Sequence, residues 1–202
     1  MTQLNLITDV SLAVCWAAFA LTWLAGAIFL ERNAPPERTR SRFGSLFAMG
    51  SVIVLIVILA VPKPDWRSVL IDTPWVRLLG LAIVLASTAF AIWARLTLGA
   101  MWSAAPTVKE HHALQTRGPY RLTRHPIYTG ILGMLLGSLL LAGGERWIVP
   151  FPVFLVLLEI KIHVEERLML AEFPDDYPRY REQVPQLIPG LRLPRRRRMA
   201  AG

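Results

Sequence analysis

The chain has 202 residues, of which 54% are hydrophobic and 18% charged, and its mean hydropathy is +0.44. A soluble domain carries about a quarter of its residues as charges; here the apolar residues fall instead in blocks bounded by charges and prolines, the pattern of a membrane chain. A formal charge of +8 could suit nucleic acid, but the positions of the basic residues assign them to topology. Cys15 is alone in an apolar run, which excludes an intramolecular disulfide and a soft thiolate metal site. His111 and His112 are adjacent, with no HExxH-type partner, so no metal is expected.

The first apolar stretch has no basic region before it and no small-residue cleavage site after it, so it reads as a retained span. Between Asp9 and Glu31 lie 21 uncharged residues. At about 1.5 Å per residue they cover the roughly 30 Å of a hydrocarbon core. A second run, 44–62, is dominated by Val, Ile and Leu, and its unbroken length favours a span over a buried strand. The third runs from Leu78 to Ala94 with Trp75 and Trp93 as interface anchors. The fourth covers Ile127 to Gly144 and contains Gly130, Gly133 and Gly137, which permit close helix approach. The fifth starts near Trp147 and stays apolar only to Leu158, leaving Glu159 and His163 at the membrane edge or sheltered by other helices.

The expected fold is an all-α integral membrane protein of about five transmembrane helices in one membrane domain. Residues 1–94 form a three-helix scaffold, 95–190 a motif-bearing region and 191–202 a basic tail. Of the 22 Lys and Arg residues, 18 lie in the 31–43 connection, the 95–126 connection and the C-terminal segment. These parts are therefore expected to face the cytoplasm, with the N-terminus outside and the chain in the cell inner membrane. Arg195 to Arg198 suit anionic headgroups, so membrane lipids are expected partners and nucleic acid is not. Oligomeric state is not legible.

Two polar clusters then fall on one side. In the first, Gly118-Pro119 signals a turn before Tyr120, and Pro126 opens the fourth span where its missing N–H costs nothing. Pro126 biases His125 toward an extended conformation, and the helix N-terminus beyond it favours an anionic group. Tyr128 lies one short turn inside, and Gly130 lets another group approach the backbone. Each residue also has a structural reading. Arg124 can snorkel to headgroups, Tyr120 can be an interface aromatic, His125 a cap and Gly130 a packing site.

In the second cluster, a helix continuing from the fifth span places Glu159, His163 and Glu166 within about 60° on one face, with Glu165 about 100° from Glu166 toward Lys161. The paired glutamates should therefore do different work. One can touch a ligand while the other orients a basic residue; i,i+4 pairing of Lys161 with Glu165 is the structural alternative. A carboxylate near a low-dielectric region needs a cation or strong donors, and Arg124 or a cationic ligand could supply them. A ligand with a sulfonium, an α-amino group, a carboxylate and an adenine ring matches these residue types without being identified by them.

Thr116-Arg117-Gly118-Pro119-Tyr120, Arg124-His125-Pro126-Ile127-Tyr128-Thr129-Gly130, Glu165-Glu166-Arg167-Leu168 and Phe173-Pro174-Asp175-Asp176-Tyr177-Pro178-Arg179-Tyr180 occur in this order. With His112-Ala113-Leu114 before them, they resemble the isoprenylcysteine carboxyl methyltransferase family and its phospholipid methyltransferase relatives, over approximately residues 93–189. The resemblance implies a membrane enzyme using S-adenosyl-L-methionine in a cytosol-facing pocket, with His125, Tyr128 and Glu165 or Glu166 as cofactor contacts. Gly130 joins them as a close-approach candidate. Tyr120 and Arg124 would shape the pocket or its substrate side. Phe173-Pro174 and Pro185-Gln186 depart from the family, which often has Phe-Gly and an arginine there, and the second departure removes a substrate-carboxylate role borrowed for that arginine.

The expected reaction is methyl transfer to a lipophilic or prenylcysteine-like carboxylate entering from the bilayer, with Arg124 orienting the acceptor. A phospholipid or small-amine N-methyltransferase is the alternative, in which Glu159 or His163 would handle the proton that must leave. A nicotinamide-dependent membrane reductase and a non-catalytic scaffold or transporter are further alternatives, distinguished by an extended dinucleotide site and by lack of cofactor binding.

Overall fold

The structure, a computed structural model, describes residues 3–30, 37–40, 73–102, 107–109, 114–142 and 150–191. Within them, helix α1 spans Gln3–Ala25 and runs into a π-helical turn, Gly26–Leu30. Helix α2 spans Pro74–Leu98, α3 Pro126–Ala142, α4 Pro150–Glu172 and α5 Asp176–Gln183. The expected second span at 44–62, the His111-His112 pair and the tail arginines lie outside the described residues.

Prolines set the helix starts. Thr73 is extended (φ −109°, ψ 149°) and Pro74 occupies the first turn of α2, where no N–H is needed. Gly99, at φ +57°, turns the chain out of α2 in a conformation that an L-residue with a Cβ avoids. Leu6–Phe29 and Pro74–Met101 are long and apolar enough to cross a bilayer. Their outward faces carry exposed Ile7, Val10, Val14, Leu21 and Leu24 on α1 and Leu79, Leu85 and Leu96 on α2, a costly surface in water and a suitable one in lipid. The protein is thus a predominantly helical integral membrane protein.

Small residues bring α2 and α3 into close contact. A Cβ on Gly137 would meet the Gly80 carbonyl oxygen at 2.7 Å and the Val84 nitrogen at 2.9 Å, so neither helix could keep its place. Helix α1 joins this pair through Cys15, which packs with Val84 and Leu141, and through a Trp16 Nε1 hydrogen bond to Ser138 Oγ at 3.1 Å.

One feature departs from the all-α expectation. Strand β1 (Glu37–Arg40) pairs antiparallel with β2 (Thr107–Lys109), Glu37 opposite Lys109 and Arg40 opposite Thr107, with an irregularity between Glu37 and Thr39. Outside the spans these polar connections satisfy backbone groups by pairing with each other. The ladder joins the two connections that the charge count assigns to one side of the membrane.

Candidate functional site

The site begins where α2 ends. Gly118, at φ +59°, sits 3.5 Å from Thr97 Cγ2 and 3.6 Å from Trp93 when given a Cβ, and Gln115 Nε2 donates to the Thr97 carbonyl at 3.2 Å. The 3-10 turn Gly118–Arg121 therefore rests on the end of α2 and buries Tyr120 among Ala94, Ile127, Trp23, Leu98 and Trp102. Burial raises the Tyr120 phenol above its ordinary range, so it stays neutral.

From the other side, α5 docks onto α4. Tyr177, Tyr180 and Val184 form a core with Leu114, Met169, Leu170 and Phe173, and Tyr180 OH donates to the Tyr120 carbonyl at 2.7 Å. The segment after α5 is then laced to the start of α3. Arg124 N–H donates to Pro185 O at 2.9 Å and His125 N–H to Gln186 O at 3.1 Å. Thr123 Oγ1 donates to Gln186 O at 2.5 Å and Thr129 Oγ1 to Leu187 O at 2.6 Å.

Inside this frame Glu166 is buried and saturated. Its Oε1 accepts from Arg124 Nε at 2.8 Å and lies 2.7 Å from Arg124 Nη2, while Oε2 lies 3.3 Å from Arg181 Nε. Arg124 Nη1 donates to Val184 O at 2.6 Å and Arg181 O at 3.2 Å. Burial pushes the Glu166 carboxyl up, but His125 and Arg124 together outweigh it and hold it down at about 2, from an ordinary 4.5.

Glu165 faces different surroundings. Tyr128 OH donates to its Oε1 at 2.5 Å, His125 Nδ1 lies 3.6 Å from Oε2 and Lys161 Nζ 3.9 Å from Oε1. Its side chain keeps 20% of its surface exposed against 7% for Glu166. The His125 and Tyr128 rings stack at 5.7 Å with 13° between their planes. His125 Nε2 is buried without a hydrogen-bond partner; it lies 3.4 Å from Glu166 Oε1, close enough for charge attraction when the ring is protonated but not aligned as a hydrogen bond.

The structure thus brings Tyr120, Arg124, His125, Tyr128, Glu165 and Glu166 around one helix junction. Glu159 and His163 lie one to two turns earlier on α4 and form a separate exposed pair: His163 Nδ1 is 3.5 Å from Glu159 Oε1, and Gln186 Nε2 donates to both Glu159 oxygens at 2.9 and 3.0 Å. Gly130 packs closely against α2, because a Cβ there would meet Ala91 Cβ at 2.6 Å and the Ser87 carbonyl at 2.9 Å. The residue pattern assigns no role to Thr123, Thr129 or Arg181, and Gln186 stands out in it only as a departure. Hydrogen bonds to main-chain carbonyls leave no residue-type signature. Arg181 has a weak signal, as the basic residue one turn after Tyr177.

Apolar spans with a buried Arg-His-Tyr-Glu-Glu site at their ends define a helical membrane protein that concentrates its polar chemistry at one helix junction. Residues 78–171 match the isoprenylcysteine carboxyl methyltransferase family. The chain is 35% identical over 79 residues to protein-S-isoprenylcysteine O-methyltransferase of Schizosaccharomyces pombe, covering 39% of this chain and 34% of that one. It is 29% identical over 125 residues to cobalt-zinc-cadmium resistance protein CzcN of Cupriavidus metallidurans, covering 60% and 55%. To protein-S-isoprenylcysteine O-methyltransferase B of Arabidopsis thaliana it is 26% identical over 118 residues, covering 57% and 60%. The matched stretches span between a third and three fifths of these relatives' lengths.

Proposed function

We propose that this protein is an S-adenosyl-L-methionine-dependent methyltransferase that esterifies a membrane-embedded, prenylcysteine-like carboxylate. The observation that carries the reading is the asymmetric glutamate pair. Glu166 is neutralised by Arg124 and Arg181, while Glu165 turns a partly open carboxylate toward stacked His125 and Tyr128. These residues fit a cationic, amino-bearing, aromatic cofactor: Glu165 offers partly exposed anionic acceptors beside the stacked His125 and Tyr128 rings. When bound, the cofactor supplies an electrophilic methyl group on a sulfonium.

The chain's own residues supply positioning and exclusion of water, which for in-line displacement is most of the catalytic work. Arg124 and Glu166 hold the 181–187 segment against the start of α3 and so fix His125 and Tyr128. Trp23, Trp102 and Tyr120 form an apolar wall beside them. A carboxylate acceptor is already a nucleophile, so no buried base is required. Arg124 acts here as a positioning residue, because its three nitrogens are engaged within the protein. An amine acceptor would call instead on the exposed Glu159–His163 pair to accept a proton.

The test is methyl transfer by detergent-purified protein from labelled S-adenosyl-L-methionine to a panel of prenylcysteines, fatty acids and phosphatidylethanolamine. Label in a base-labile ester of the prenylcysteine is expected. Label confined to the amine headgroup would replace the carboxylate reading, and absence of cofactor binding under several lipid conditions would sink the methyltransferase reading altogether.

A further inference from the structure

Beside Tyr180 and Val184, a cavity of about 720 Å³ opens between the 114–121 segment and α5, and its walls include Thr116, Arg117, Arg121, Asp176, Arg179 and Gln183. A volume of this order holds a small ligand or a lipid headgroup. Three arginines line it. Among the described residues none of the three is ion-paired, not even with Asp176 in the same wall. Like charges held around one space repel, and an anion between them relieves the repulsion. Asp176 offsets one of the three charges and leaves the wall net positive. The forked donors of arginine match the oxygens of a phosphate group.

The backbones that present these side chains are fixed. Arg117 precedes the Gly118–Arg121 turn and Arg121 ends it, Arg179 lies on α5, and the Tyr180 OH bond to the Tyr120 carbonyl clamps the two together. The turn rests on the end of α2, through Gly118 against Trp93 and Thr97 and through the Gln115 bond to Thr97 O. Because Pro74–Met101 is long and apolar enough to span a bilayer, the cavity stands at the level of that span's end. Leu122, immediately after Arg121, is 46% exposed, giving an apolar contact next to a cation, the combination that suits a headgroup–acyl boundary.

We propose that this cavity binds the phosphate group of an anionic membrane lipid. The assignment rests on the membrane placement of α2 and is independent of the reaction chemistry. It is tested by delipidating the full-length protein in detergent, adding mixed micelles of phosphatidylglycerol or phosphatidylcholine, and measuring retained lipid by native mass spectrometry. Phosphatidylglycerol is expected to be retained in preference. Arg117→Gln, Arg121→Gln and Arg179→Gln should each weaken retention about fivefold, equivalent to about 1 kcal/mol per arginine near a charged surface. Asp176→Asn should strengthen it. Arg167→Gln, an exposed charge outside the cavity, should leave it unchanged, as should S-adenosyl-L-methionine binding in all the arginine variants. Equal retention of the two lipids, or equal loss in Arg167→Gln, would overturn the site. Displacement by inorganic phosphate with no lipid retained would overturn the lipid assignment in favour of a soluble anion.

Discussion

Glu165 and Glu166 are adjacent on α4, yet about 100° of helical rotation separates their side chains and sends them into different surroundings. Glu166 meets two arginines and is closed off; Glu165 meets a phenol and an imidazole edge, with Lys161 only at 3.9 Å, and stays partly open. The difference shows how a doubled residue divides its work by what covers each side of the helix. The covered copy stabilises the junction between α3, α4 and the 181–187 segment. The open copy is the one we propose meets the cofactor.

The largest effect expected from this division is on stability. Glu166→Gln leaves the buried Arg124 guanidinium without its counter-charge, and removing one partner of such a pair costs about 3 kcal/mol. Thermal unfolding in detergent should show a clear drop in Tm, and an unchanged Tm would erase the structural role. Glu165→Gln should do the reverse. Its Tm should stay close to that of the parent while S-adenosyl-L-methionine affinity falls more than tenfold, about 1.4 kcal/mol.

Acid provides a third discrimination. The folded protein holds the Glu166 carboxyl at about 2 against an ordinary 4.5, so its ionised form favours the fold. That contribution is complete above about pH 4.5 and is lost as the pH falls toward 2. A melting-temperature profile across this window should be steep for the parent and for Glu165→Gln, and flatter for Glu166→Gln. The smallest effects belong to the exposed pair. Glu159→Gln and His163→Ala should change Tm little, since screened surface pairs contribute little. Ester formation should stay within about a factor of two of the parent by the same reasoning. A collapse of turnover in either variant would move the proton-handling reading, and with it an amine acceptor, to the front.

Much of this site is legible in the amino-acid sequence. The Pro126 helix start and the divergence of Glu165 from Glu166 follow from proline chemistry and helix periodicity, while the charge count and the family resemblance put Arg124-His125 on the same side as the glutamates. Periodicity also places Glu159 and His163 on the Glu166 face, and Gln186 does bridge to Glu159 along that side. What periodicity omits is how cover changes along a helix. The Glu166 level is roofed by α5 and Arg124, whereas Glu159 meets only Gln186 and its own neighbour His163 among the described residues. The role of Gly130 is open in the sequence for a similar reason, because a small residue reads alike whether it admits a ligand or a helix. The β1–β2 ladder sets Arg40 opposite Thr107, distant positions joined through backbone groups that residue types do not announce.

The most direct test is equilibrium binding of labelled S-adenosyl-L-methionine to purified protein, comparing the parent with Glu165→Gln at a temperature where both are folded. Saturable binding by the parent, weakened more than tenfold in the variant, is the predicted result. Equal affinity in the two proteins would contradict the assignment of Glu165 as the ligand-facing carboxylate, and no binding by the folded parent would contradict the pocket itself.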